Sequence, residues 1–361
     1  MILSSHLFGG ASGFSLRFPS VCAGLLVIWC TYKLGEFLVN RRVGFIAGWM
    51  LISTYYFVFW ARVANADMLN LSGIMLAVLW YFTHRAKPRF GSYFGFFLIL
   101  AITALFKGLI GVVIPILVIL PDLISKNRWK RHLRFDVILA LVLPILIYIA
   151  PFWASDHSGA VNYGESGLTE VYRENVLRYF HPFDHQGPIY TYLIYLPVYM
   201  LPWAIFLIPA LATIPKRFKA LNEGERWFYW STLLVFMFLT LSGSRRSYYV
   251  LPLVPFATLM VAQWLESITL NSQKYSRYLA NMTLISVCVM FIVFDIALPL
   301  FYANGGLRPF ANELVQDASA VHPWPSWNIV FLDAESKLTF YIDETKPVKI
   351  LNAPYGSTDS A

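Results

Sequence analysis

Four groups of ionisable side chains stand where long apolar stretches end, and their types suit binding a phosphate and moving a proton. Ala61-Arg62-Val63-Ala64-Asn65-Ala66-Asp67-Met68 joins two apolar stretches with almost no linker. Asp67 there suits a helix N-cap, because an aspartate bonds the first free amides, and it equally suits a catalytic carboxylate that takes a proton. Leu105-Phe106-Lys107-Gly108-Leu109 puts one lysine between two short apolar stretches. Set against simple snorkelling, an ammonium in a tight turn is well placed to meet a lipid phosphate. Ser242-Gly243-Ser244-Arg245-Arg246-Ser247-Tyr248-Tyr249 holds two arginines at a span boundary, and guanidinium forks match phosphate oxygens in a bidentate way. The fourth group, residues 171–188, combines Arg173, His181 and His185 with Leu177 and several aromatics. It predicts an amphipathic helix on the membrane surface followed by a rigid Pro-bounded turn. His181 and His185 have a spacing seen in metal pairs, but Pro182 breaks the helix that would align them, so the segment reads as a substrate-facing loop.

What must position these groups is a membrane-embedded helical scaffold. The chain is 58% hydrophobic and 13% charged, whereas a soluble domain carries about a quarter charged residues, so the bilayer has to solvate the apolar surface. That excludes a soluble enzyme. Twelve Trp and 21 Tyr fit helix ends placed in the headgroup layer. The net charge of +8 comes with basic residues gathered in short loops, which reads as loop charge and not as a nucleic-acid surface. Cys22, Cys30 and Cys288 lie inside apolar stretches and give neither a disulfide framework nor a zinc spacing.

About ten apolar stretches can be laid out, over roughly residues 21–39, 43–60, 68–82, 93–106, 109–124, 137–153, 192–212, 227–241, 250–265 and 282–301. Sixteen of the 28 basic residues fall in five clusters, at residues 40–44, 83–90, 125–134, 213–226 and 271–278. A hairpin at Lys107 puts all five on one side, which is then the cytoplasm, while one continuous helix there would scatter them, so a hairpin is expected. Residues 1–20 then form an outer loop, which leads us to expect a further span upstream of it. Outer loops follow at 61–67, 107, 154–191 and 242–249. The fold class is an all-α polytopic membrane protein, residues 1–301, with a small outward α/β domain at 302–361. In that tail Leu307, Phe310, Leu314 and Val315 fall at helical spacing with Pro309 in a first turn, and residues 327–333, 338–343 and 348–351 read as short strands.

In this order the outward motifs resemble the aminoarabinose transferase and protein O-mannosyltransferase superfamily of polyprenyl-phosphate-dependent glycosyltransferases. The pieces are Phe18-Pro19-Ser20, Asn40-Arg41-Arg42-Val43-Gly44, Ala61-Arg62 with Asp67-Met68, Phe106-Lys107-Gly108, His185-Gln186-Gly187-Pro188 before Leu201-Pro202-Trp203, and Ser244-Arg245-Arg246 with Tyr249-Val250-Leu251-Pro252. The resemblance implies the GT-C membrane fold and transfer of a sugar from a polyprenyl-phosphate donor to a lipid A, glycan or protein acceptor, on the outer face of a bacterial inner membrane. It implies Asp67 as a catalytic carboxylate, Lys107, Arg245 and Arg246 on the phosphate, Arg62 and Tyr249 near substrate, and His185 positioning substrate from the loop. It requires no cofactor, and a divalent metal is neither required nor excluded. Members of the superfamily carry an acidic pair in a first outer loop ahead of the Phe-Pro-Ser element. Here Glu36 is the first acidic residue, so the expectation includes an N-terminally shortened or inactive relative. A flippase for a lipid-linked saccharide, which needs the same cations but no base, is the competing class. It would be expected to show polar or broken-helix sites near the middle of the membrane.

Overall fold

Short polar side chains set where the membrane helices begin. The computed structural model describes residues 2–158, 167–183, 185–269, 273–305, 307–332, 338–342 and 349–351. Asn40 caps Arg41–Ile52 by accepting from the Val43 amide at 2.9 Å, and Asn65 caps Ala66–His84 by accepting from the Asp67 amide at 2.6 Å. Asn222 and Glu225 form a capping box at the start of Glu223–Leu241. Ser12 and Ser15 form another for Gly13–Leu38, so the first long helix begins inside the segment expected to be a loop. Pro19 lies within that helix, and the Ser4 hydroxyl, on the short helix Ile2–Leu7, donates to the Ser15 carbonyl that a proline at position 19 leaves without its amide.

All the expected apolar stretches fall on helices, but fewer than ten qualify as spans. Among the described residues six helices are long and apolar enough to cross a membrane, or eight if each of two bent pairs counts as one span. Arg41–Ile52 and Tyr55–Ala61 meet at 69°, and Thr191–Tyr199 and Ala204–Ala212 at 120°. Two other stretches fall short on physical grounds. Ile110–Ile124 has only 15 residues, and Glu223–Leu241 opens on three charged residues. The chain is a multi-pass helical membrane protein, with six to eight apolar spans among the described residues.

The Ser247–Thr269 span is the most enclosed, 83% buried, followed by Ala66–His84 at 72%, while Phe135–His157 is 11% buried and faces outward. Gly13–Leu38 packs between Arg41–Ile52 and Ala66–His84, and Phe90–Lys107 folds back on Ile110–Ile124 as the expected hairpin. That hairpin sorts the loops to two ends of the bundle. At one end Arg42 reaches the Thr269 carbonyl at 3.1 Å and the Ser276 hydroxyl at 3.2 Å. At this end too, Arg85 and Arg128 both pair with Asp122, and Arg128 also pairs with Glu223. Gln263 bonds Glu225 at 2.9 Å, and Gly224 lies against Leu38, next to the Asn40 cap. All five basic clusters therefore meet at the same end.

The described part of the tail belongs to a second compact unit, residues 288–361. Leu307–Val321 is helical as its spacing requires, and Ala311, Leu338 and Ile342 pack with Leu314, Val315 and Trp324. Residues 338–341 form a helical turn and not a strand, and the remaining strands shrink to Val330–Leu332 and Lys349–Leu351, paired in parallel. Two three-residue strands do not build a sheet layer, so the expected α/β domain is not supported. The expected strand ends at 333, 343 and 348 lie outside the described residues.

One crossing explains a motif that charge alone did not. A methyl group built on Gly35 would lie 2.6 Å from the Gly44 Cα, and one on Gly44 would lie 2.3 Å from the Tyr32 carbonyl oxygen. Here two helix backbones touch, the contact that small residues allow between membrane helices. We expect Gly44→Val to push these helices apart and to destabilise the protein by at least the ~1–3 kcal/mol of an overpacked core. Its melting temperature in detergent should fall by several degrees; an unchanged melting temperature would show the crossing to be slack.

Candidate active site

At the end of the bundle away from the basic clusters, Asp67 and Lys107 form an ion pair. Each charge suits its helix. Asp67 stands in the first turn of Ala66–His84, where the positive end of the helix dipole favours an anion, and Lys107 is the last residue of Phe90–Lys107, where the negative end favours a cation. Because Asn65 supplies the N-cap in place of Asp67, the Asp67 carboxylate is left for Lys107. The Ser20 hydroxyl in turn bonds the Asn65 carbonyl at 3.3 Å, which ties the Phe-Pro-Ser element to this turn. The pair is largely enclosed, Asp67 9% and Lys107 28% exposed.

Gly108 makes the turn after Lys107 possible twice over. Its φ of +89° is a conformation that glycine adopts without strain, and a Cβ there would sit 2.3 Å from Asn175 Oδ1. That oxygen accepts from the Leu109 amide at 2.7 Å. Asn175 thereby clamps its own segment onto the hairpin, and that segment's helical stretch, Gly167 to Phe180, includes a π turn at Arg173–Leu177. Such turns often mark functional sites. Beside Asn175, Glu174 accepts from Arg178 at 2.6 Å, and Arg173 and Arg178 lie 4.9 and 5.4 Å from the Phe183 ring. Tyr179 donates to the Phe238 carbonyl at 2.9 Å, and burial raises its phenol above the ordinary range, with the Arg245 charge opposing.

These groups border a cavity of about 290 Å³ whose walls include Asp67, Asn70, Lys107, Glu174, Arg178 and Tyr249. That is near the lower limit for small-molecule sites. Lys107 Nζ lies 5.5 Å from the Tyr248 ring centre and 5.3 Å from that of Tyr249. Arg246 shares Tyr248, bonding its hydroxyl, and its other nitrogen meets His185 Nδ1 at 2.9 Å. Arg178 shares the cavity wall with Lys107, and Arg246 bonds the Tyr248 whose ring faces the Lys107 ammonium. Among the described residues Lys107 and Arg178 in the wall, with Arg246 next to it, stand against the carboxylates of Asp67 and Glu174, a balance that favours an anionic guest. The Ser244 hydroxyl oxygen, also in the wall, is buried with no hydrogen-bond partner among the described residues.

The expected site residues divide into three groups. Asp67, Lys107 and Tyr249 line the cavity, and Arg246 and His185 adjoin it through each other and Tyr248. Arg245 instead serves the backbone. Its guanidinium donates to the Thr240 carbonyl at 3.0 Å and the Gly187 carbonyl at 2.8 Å, its amide donates to the His185 carbonyl at 2.7 Å, and it bridges to Gln186. Arg62 closes the Tyr55–Ala61 helix as its C-cap and is not part of the cavity wall. His185 has φ +55°, an uncommon left-handed conformation for a residue with a side chain. Among the described residues no three of His, Cys, Asp and Glu are grouped so as to hold a metal ion. Glu174, Asn175 and Arg178 were not foreseen. The signal available for them was the Glu174–Arg178 spacing of four, which pairs oppositely charged side chains on one helix face.

Residues 1–154 match the family described as dolichyl-phosphate-mannose-protein mannosyltransferase. Over 329 residues the chain is 27% identical to the undecaprenyl phosphate-alpha-4-amino-4-deoxy-L-arabinose arabinosyl transferase 1 of Pseudomonas fluorescens (strain Pf0-1), covering 84% of this chain and 54% of that protein. The transferase of the corresponding name from Shewanella sediminis (strain HAW-EB3) is 25% identical over 342 residues, 90% of this chain and 59% of that one. The crystal structure of ArnT from Cupriavidus metallidurans bound to undecaprenyl phosphate superposes with a TM-score of 0.72 at 17% identity, over 99% of this chain and 74% of that one. Over most of its length the chain is thus similar to the aminoarabinose transferases. It shares the fold of ArnT, whose apo structure also matches, with a TM-score of 0.68 over 97% of this chain. The chain spans about half the length of the transferase relatives it matches.

The ion pair generates an asymmetric prediction. Removing one partner of a buried pair strands the other charge, at 3–5 kcal/mol when burial is complete. Since Lys107 is 28% exposed, Lys107→Met should destabilise the protein by about 2 kcal/mol. Adding Asp67→Asn to it should recover most of that loss. Thermal unfolding of the two single variants and the double variant gives the coupling; additive losses would mean that the pair is not formed.

Proposed function

We propose that the chain is a membrane glycosyltransferase module that moves a sugar from a polyprenyl-phosphate carrier to an acceptor hydroxyl on the periplasmic face of a bacterial inner membrane. The observation that carries this reading is the Asp67–Lys107 pair in the wall of a cavity shared with Arg178 and Tyr249, at the end opposite the basic clusters. Loop charge of that kind marks the cytoplasmic side. The names of the relatives favour undecaprenyl-phosphate-linked 4-amino-4-deoxy-L-arabinose as donor. Mannose or a similar sugar is the alternative, and lipid A, a glycan or a protein hydroxyl is the acceptor.

In this scheme the acceptor oxygen forms a bond to the anomeric carbon as the bond from that carbon to the phosphate oxygen breaks. The acceptor proton passes to a carboxylate, and the carrier leaves as its phosphate. Charge grows on the departing phosphate, so cations fixed nearby stabilise the transition state. Lys107 supplies one, with Arg178 in the same wall and Arg246 bonded to the neighbouring Tyr248. A phosphate reaching Lys107 competes with Asp67 for the ammonium, and the carboxylate set free takes the proton. His185 orients Arg246 through the 2.9 Å bond, and Arg245 holds the loop that carries His185.

A second reading, translocation of a lipid-linked saccharide, is favoured by the two bent helix pairs, since broken helices mark transport sites. One assay separates the two. Purified protein in sealed vesicles, given a short-chain polyprenyl-phosphate sugar and lipid A, should release carrier phosphate and form glycosylated lipid A. Asp67→Asn should slow this by about 10²- to 10⁴-fold, the range of general-base catalysis. Carrier crossing the bilayer with no glycosidic product, at equal rates in wild type and Asp67→Asn, would establish translocation and remove the transferase reading.

A further inference from the structure

A second cavity, of about 500 Å³, lies between the Arg41–Ile52 helix and the start of the Gln273–Phe291 helix. It is separate from the site above, sharing none of its lining residues. Its walls are apolar over most of their length, with Phe45, Trp49 and Leu284 exposed along them and Trp203 deep within. Its polar groups include Arg42, Thr269 and Ser276, which bond one another at the basic end of the bundle. From Arg42 the groove runs along the helix to Met50, about 12 Å at 1.5 Å per residue. The form is that of a headgroup seat with an acyl channel below it.

The charge of the seat selects its occupant. Arg42 spends one nitrogen, Nη2, on the Thr269 carbonyl and the Ser276 hydroxyl, and Nε and Nη1 bond none of the described residues. Two nitrogens of the guanidinium fork thus have no partner among the described residues, in the geometry that grips phosphate oxygens. Arg41, Lys274 and Arg277 flank the seat in sequence. The nearby carboxylate of Glu266 is occupied by Asn40 at 3.2 Å. We propose that this groove is a binding site for an anionic glycerophospholipid of the leaflet at the basic end, with its phosphate on Arg42 and one acyl chain lying against Phe45, Trp49 and Leu284. Basic pockets between spans on the cytoplasmic side bind anionic headgroups in this way. The inference does not rest on the transferase reading, and it gives Arg42, left without a role in the resemblance, a chemical task.

The test uses the full chain, purified in mild detergent after reconstitution in vesicles of equal phosphatidylglycerol and phosphatidylethanolamine, with retained lipid read by native mass spectrometry. Wild type retains phosphatidylglycerol in preference to phosphatidylethanolamine. Arg42→Gln lowers phosphatidylglycerol retention about fivefold, the effect of one basic side chain at a membrane surface, and Arg42→Lys restores most of it. Ala280→Trp fills the groove from its exposed wall while leaving Arg42 intact, and it lowers retention to the same degree. Phosphatidylglycerol retention unchanged in either Arg42→Gln or Ala280→Trp overturns the proposal. So does a polyprenyl phosphate, added as competitor, that displaces the phospholipid from wild type.

Discussion

The end of this bundle away from the basic clusters is organised by the need to keep a carboxylate and an ammonium together at the edge of a low-dielectric medium. Taking two charges out of water costs several kcal/mol per ion, and their attraction offsets this only when geometry and neighbours cooperate. The cooperation is visible here. Asn65 takes over the cap so that Asp67 can face Lys107, Ser20 holds Asn65, Gly108 lets the chain turn directly after the lysine, and Asn175 pins the loop onto that turn. The two helix dipoles favour the same arrangement. In the proposed reaction an anion that reaches Lys107 competes with Asp67 for the ammonium.

The two ends of the molecule use charge differently. At the basic end Asp122 is shared by Arg85, Arg128 and the Tyr81 hydroxyl, and Glu223 takes the remaining side of Arg128. Carboxylates there are matched by more than one donor, and the network fastens loops. At the other end the named cations outnumber the named carboxylates around a cavity, and a wall hydroxyl is left without a partner among the described residues. A satisfied network builds rigidity, whereas an unsatisfied one calls for a ligand. The same residue types thus fasten loops at one end and border a cavity at the other.

Much of this was readable from the residues, and what was not has physical causes. The apolar stretches and loop charges identify the spans and the Lys107 hairpin because hydropathy and charge asymmetry are one-dimensional signals. The bends at Ser53-Thr54 and at 200–203 were hidden because no charge interrupts the stretches there. The Ser12 cap was missed because Gly, Ser and Pro also make loops. Asp67 and Lys107 stood out as ionisable groups at span ends, but their pairing is a contact between residues forty apart. Arg245 and Arg246 look equivalent in sequence, and only the fold spends one on backbone carbonyls and aims the other at His185.

The bent pairs show why each motif is weak by itself. Trp203 Nε1 donates to the Ser53 hydroxyl at 3.0 Å, the Tyr55 amide reaches the Leu201 carbonyl at 3.4 Å, and the rings of Tyr56 and Tyr199 stack 3.6 Å apart. Within a bilayer a broken helix exposes backbone groups that lipid does not satisfy, and here each break supplies partners for the other. Ser286 completes the set by donating to the Ser53 carbonyl at 2.7 Å. The same reciprocity joins Ser20 to Asn65, Asp67 to Lys107, Gly187 to Arg245, and Arg42 to Thr269. Each short motif is one half of a contact whose other half lies far along the chain. The information is in the pairing, which is why the order of the motifs carried more meaning than any one of them.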